Sequence, residues 1–132
     1  LKKEFTDVKD LLCIDYTSAY STPSLDKLVR TFVYDRQGKG SFTVGDEFTA
    51  NAPIRFETAI TTQANWKIID DTHLLLTTGT EQMTVTIEAS GKVAFTSETI
   101  EVNSPAYTRI GISLKEQSKD GYIRLTMRTK QL

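Results

Sequence analysis

After its first dozen residues the chain repeats one pattern, in which apolar and polar residues alternate in short runs separated by turn chemistry. The clearest runs are "IRFETAIT" (residues 54–61), "MTVTIE" (83–88), "TRIGISLK" (108–115) and "YIRLTMR" (122–128). Period-two alternation puts one apolar row on each strand, whereas a helical face repeats every ~3.6 residues. Threonine and β-branched residues fill these runs, which suits a pleated surface and penalises helix. Further strands are expected at residues 12–16, 28–35, 41–49, 66–69, 73–77 and 93–102, the last broken near Ser97. Turns are marked by "RQGKG" (36–40), Asn51-Ala52-Pro53, Asp70-Asp71, Ser90-Gly91, Asn103-Ser104-Pro105 and Lys119-Asp120-Gly121, with a loop at 21–26 around Pro23. Strands this short at such regular spacing predict an all-β fold. The expected form is an antiparallel meander curled into a lipocalin- or calycin-like β-barrel, closed or left incomplete at one edge.

The first twelve residues read differently. Phe5, Val8 and Leu12 recur at helical spacing among Lys2, Lys3, Glu4, Asp7, Lys9 and Asp10. That pattern predicts one short amphipathic helix over residues 1–12, lying against the barrel as a lid or plug. The 132 residues are enough for one hydrophobic core, so residues 1–132 are expected to form a single domain. The chain opens on Leu-Lys-Lys rather than Met, so an upstream segment is expected to have been removed, a signal peptide or membrane anchor being one candidate. Within the sequence itself no apolar run approaches the ~20 residues of a membrane-spanning helix.

Charge and chemistry exclude several function classes. A net charge of −1, with lysines and arginines scattered, gives no field that would gather nucleic acid or an anionic membrane. Cys13 is the only cysteine and His73 the only histidine, so neither an intrachain disulfide nor a cysteine or paired-histidine metal site is expected. Cys13 reads as a buried thiol or as half of an intermolecular bridge. His73, beside the Asp70-Asp71 turn, reads as a solvated imidazole. The carboxylate pairs Asp70-Asp71 and Asp46-Glu47 both read as turn residues. Gly38-Lys39-Gly40 lacks the spacing of a phosphate loop. With no nucleophile, base or cofactor motif in view, the chain is expected to be no enzyme and to need no cofactor.

Large apolar side chains remain. Trp66 and Ile68 share one side of their strand and Lys67 takes the other, so the indole should face inward. It is either a core plug or the wall of a ligand chamber. An eight-stranded barrel can be packed solid or can hold one small ligand. Phe32, Tyr34, Phe42, Phe56, Trp66, Ile68, Met83 and Phe95 are the candidate lining of such a chamber. Arg30, Arg55, Arg109 and Arg124 are candidates for a cationic mouth.

The order "TFVYDRQGKGSFTV" (31–44) followed by "ANWKIIDDTHLLLT" (64–77) places an aromatic strand before a glycine turn, then a Trp strand, an acidic turn and a leucine run. With the early Cys13 and the late "VNSP" (102–105), it resembles the periplasmic partner proteins of ToxR-type transmembrane transcription regulators, the ToxS, FidL-like and VtrC group. The resemblance implies a calycin fold on an inner-membrane anchor and a heterodimer with a ToxR-like regulator through their periplasmic domains. It also implies a bile salt or other amphipathic molecule bound inside the joint barrel, controlling virulence genes, with no direct nucleic-acid contact. The alternative is an autonomous lipocalin-like carrier or lipoprotein for a small lipophile.

Overall fold

A computed structural model describes residues 1–102 and 105–130. Of the loop expected at Asn103-Ser104-Pro105, the first two residues lie outside the described residues. Among those described, the chain forms eleven strands: β1 (Lys2–Phe5), β2 (Lys9–Asp15), β3 (Leu25–Asp35), β4 (Ser41–Ile54), β5 (Glu57–Thr62), β6 (Asn65–Asp70), β7 (His73–Thr78), β8 (Glu81–Ala89), β9 (Val93–Ile100), β10 (Tyr107–Leu114) and β11 (Ser118–Lys130). Every pairing is antiparallel. The all-β antiparallel fold is therefore as the alternation predicts.

The strands form two open sheets rather than a closed barrel. The larger runs β1-β2-β3-β4-β11-β8-β7-β6 and the smaller β5-β10-β9. The chain leaves the larger sheet after Ile54, crosses at Arg55-Phe56, and starts β5 in the smaller one, where it pairs with β10. That switch separates two layers that a meander would have kept continuous. Leu28, Phe48, Leu74, Val85, Ile123 and Leu125 of the larger sheet pack with Ile110, Ile112 and Leu114 of the smaller. Each such side chain contributes about 1.5–3 kcal/mol when fully buried, so this middle zone holds the layers together.

The N-terminal helix is not formed. Residues 2–15 make a hairpin on the edge of the larger sheet, with Leu12 opposite Phe32 and Cys13 opposite Thr31. The Thr6 hydroxyl organises the turn, accepting from the Lys9 backbone N–H at 2.9 Å and donating to the Lys9 carbonyl at 2.8 Å. Phe5, Val8 and Leu12 fit a helix by spacing, but a helix this short is marginal alone. The exposed edge of β3 offers Leu11 to Ile14 a full ladder of backbone hydrogen bonds instead. Among the described residues the helical content is one 3-10 turn, Thr17–Ala19, and no helix is long and apolar enough to cross a membrane.

Four smaller expectations also change. Lys119-Asp120-Gly121, expected as a turn, lies inside β11, where Asp120 pairs with Thr49 and Gly121 with Phe48. β4 continues through Asn51-Ala52-Pro53 to Ile54, and β9 is unbroken at Ser97. Asp46-Glu47 is no turn: both residues lie in the middle of β4, and Asp46 is buried. The glycine hairpin at residues 36–40 forms as predicted, with Gly38 and Gly40 both at positive φ (61° and 82°), a region that side chains with a Cβ avoid.

Candidate functional site

The register of the β3–β4 hairpin decides what faces inward. Leu28 sits opposite Phe48, Arg30 opposite Asp46, Phe32 opposite Val44 and Tyr34 opposite Phe42, all on the inner face of the larger sheet. Beside the Leu28–Phe48 pair, which belongs to the core, the next pair inward is therefore ionic. Arg30 donates through Nε to Asp46 Oδ1 at 2.6 Å and through Nη2 to Oδ2 at 2.7 Å. This is the forked geometry in which guanidinium and carboxylate fit best. Asp46 retains 3% exposure and Arg30 30%. The hydrogen bond to Asp46 is the main cause that raises the Arg30 pKa above its ordinary value, against the opposing effect of burial. Tyr16 presents its ring to the guanidinium with the carbon 5.4 Å from the centroid.

This pair floors a groove of about 270 Å³ at the point where the chain crosses between sheets. Leu25, Ile54 and Phe56 supply an apolar wall, and Tyr20, Arg55 and Glu57 its polar lip. Phe56 is fixed by stacking on Phe48, with centroids 4.7 Å apart and planes 19° from parallel. Glu57 accepts from Arg109 Nη2 at 2.9 Å. Arg55 is exposed and has no ion-pair partner among the described residues.

The eight side chains expected to line a chamber do not meet in one place. Phe32, Tyr34 and Phe42 gather at the far end of the hairpin, with centroids 6.3 Å apart for Phe32–Phe42 and 6.5 Å for Tyr34–Phe42. That end of the sheet extends past the core, so Tyr34 is 45% and Phe42 37% exposed. Arg36 lies over the Tyr34 ring at 4.9 Å and pairs with Asp10 at the rim. Phe56 belongs to the groove, and Phe95 to the smaller sheet opposite Ile112. Trp66 and Met83 both flank Leu76 at the opposite edge and pack partly against the core, while Ile68, on the same strand, is exposed. Leucine, isoleucine and valine fill the space between these groups. Trp66 is thus a plug at one edge of the sandwich.

Of the four mouth arginines, Arg30 and Arg55 line the groove, Arg109 braces Glu57, and Arg124 lies on the outer face with Glu88 at 3.1 Å. Asp46, Tyr16 and Tyr20 were not anticipated as site residues. The signal for Asp46 was present: Arg30 and Asp46 each stand eight positions from Gly38, so a tight hairpin centred there pairs them. His73 is held by Asp70 at 2.9 Å beside a surface turn, away from the groove. The Thr72 backbone N–H first, and His73 second, keep the Asp70 carboxyl below its usual range. Cys13 receives a contact from the Thr31 hydroxyl at 3.6 Å. Among the described residues no cluster of three metal-ligating side chains forms.

No family model matches the chain, and no curated protein matches it. Solved structures do. A heparan sulfate lyase, HepC from Pedobacter heparinus, superposes on 99% of this chain with a TM-score of 0.75 at 13% identity. A heparinase III structure covers 96% of it with a TM-score of 0.66 at 18% identity. The chain spans 21% and 20% of those two proteins, about a fifth of their length. The expectation that the chain is no enzyme is overturned by these matches, because the proteins that carry the same sandwich are lyases. At 13% and 18% identity, what is shared is the fold.

Proposed function

We propose that this chain serves as the β-sandwich module of a larger enzyme acting on an acidic polysaccharide. One observation carries the reading: the whole chain superposes on a part of heparan sulfate lyases, with nearly none of its length left over. The sandwich supplies such an enzyme with a rigid wall, and its inner-face groove supplies fixed guanidinium groups where carboxylates and sulfates would pass. With a net charge of −1, recognition of a polyanion here rests on these local arginines and not on a general basic field. The test is to incubate the complete gene product with heparan sulfate and other uronate polymers, with a neutral glucan as control. A lyase leaves a carbon–carbon double bond, read by ultraviolet absorbance, and shorter chains, read by size exclusion. Folded protein that leaves every uronate polymer intact defeats the reading.

A second reading, in which the chain pairs with a ToxR-like regulator in the periplasm and takes a bile salt, is favoured by the open strip of Phe32, Tyr34 and Phe42. An apolar strip with Arg36 at its rim suits an amphipathic anion. Taurodeoxycholate should then shift Tyr34 and Phe42 resonances saturably, and co-expression with the regulator's periplasmic domain should yield a complex. Absence of both would eliminate it.

A further inference from the structure

The groove between β3, β4 and the crossing to β5 has more structure than a gap between sheets requires. We propose that it binds one sugar acid, a pyranose ring bearing a carboxylate, with the acid on Arg55 and Arg30 and the ring against Phe56 and Ile54. That the ring belongs to a polysaccharide rests on the enzyme reading above; recognition of ring and carboxylate rests on the groove itself.

Arg30 uses two N–H groups on Asp46, which leaves three of its five without a protein acceptor among the described residues. Its orientation is fixed by that fork and by Tyr16, so little freedom is lost when an anion docks. Asp46 balances Arg30 and Arg109 balances Glu57, leaving Arg55 as the uncompensated charge of the groove. The site therefore favours an anion.

The apolar wall then narrows the anion. Leu25, Ile54 and Phe56 present carbon surface that an inorganic ion would leave wet. A sugar ring covers such a wall with its C–H face, as ligands generally do with the apolar lining of a pocket. The volume, about 270 Å³, falls just under the ~300–1,000 Å³ typical of drug-sized ligands, so a single ring fits and a long lipid does not.

The experiment is an NMR titration of the folded protein with D-glucuronate, D-glucose and sodium sulfate. It follows the backbone amides of Tyr20, Arg55 and Glu57 and the Nε–H of Arg30. Glucuronate should shift these signals saturably and leave β6 to β8 unmoved, while glucose and sulfate bind much more weakly. Arg55→Ala, at an exposed position, should keep the fold and weaken glucuronate about ten-fold, the effect of losing one charge-assisted hydrogen bond. Tyr20→Ala supplies a second exposed variant at the lip. Glucuronate shifts that are absent or lie elsewhere overturn the proposal, as does sulfate binding as well as glucuronate. If glucuronate binds while the complete gene product cleaves nothing, the enzyme reading falls and the site stands. If the polymer is cut while the groove stays silent, the site falls alone.

Discussion

The pair Arg30–Asp46 invites a double-mutant cycle, because its two members are buried so unequally. Asp46 is 3% exposed and receives both guanidinium bonds, at 2.6 and 2.7 Å. Arg30→Met would leave that carboxylate desolvated beside the core, and breaking a buried pair this way costs about 3–5 kcal/mol. Arg30 keeps 30% exposure, so water can follow the vacated side chain, and the lower end, about 3 kcal/mol, is expected. Asp46→Leu leaves a cation that the groove can hydrate, at about 2 kcal/mol. The double variant replaces the pair by apolar volume and should cost about 2 kcal/mol or less. The coupling energy is then about 3 kcal/mol. Urea unfolding, followed by the emission of Trp66 and by circular dichroism, measures all four corners. With a slope near 2 kcal/mol per molar, Arg30→Met should lower the midpoint by roughly 1.5 M. A loss of no more than ~1 kcal/mol for Arg30→Met, the worth of an exposed ion pair, would refute the reasoning. It would mean that water already reaches Asp46.

Other expectations follow from the same packing. Phe48→Ala removes a side chain 1% exposed and stacked on Phe56, and should cost about 3–5 kcal/mol by calorimetry; a loss below that range would mean Phe56 collapses into the space. Trp66→Ala, at a half-buried edge position, should cost less, about 2–3 kcal/mol, in the same calorimetric comparison. Gly111→Ala would drive a methyl group into the Glu57 carboxylate and to 2.5 Å from Thr96 Oγ1, so a loss of about 1–3 kcal/mol is expected. Combining it with Glu57→Ala should restore part of that loss, and no recovery would place the strain in the backbone. Asp70 is held below its ordinary pKa, so its stabilising contribution is complete above pH 3.8 and is lost as pH falls through the lower folded value. The difference in melting temperature between the protein and Asp70→Asn should accordingly be present at neutral pH and vanish in strong acid.

Strand positions were legible because alternation is local and repeats in every run. The hairpin at residues 36–40 was legible for a stronger reason: two glycines at positive φ fix its centre, and the centre fixes the register of Arg30 against Asp46. Residues 1–12 misled because their apolar spacing fits a helix, whereas the free edge of β3 takes them up as a hairpin that leaves Phe5 and Val8 exposed. Barrel and sandwich share one alternation pattern. They differ in whether β5 stays with β4, and nothing in "NAPIRFET" announces that the chain changes sheets at Arg55-Phe56. The groove was hidden for the same reason, since Tyr20, Arg30, Arg55 and Phe56 converge only at that crossing. Asp46 was disguised by its neighbour: beside Glu47 it reads as a turn acid, although its opposite-charge partner stands at the mirrored position.

The place of β11 in the larger sheet governs how this chain can be made. Its ladder joins β4 on one side to β8 on the other, so the segments β1–β4 and β6–β8 share no direct pairing until residues 118–130 arrive. On a ribosome adding about 5–20 residues per second, the two halves wait with open inner edges for several seconds while the intervening chain is synthesised. Emergence of β11 closes both edges at once, over long sequence separations that make folding slow. A ribosome that stalls, or a protease that trims, before Ser118 would therefore leave two unjoined half-sheets, each with a bare strand ready to pair with a neighbouring chain.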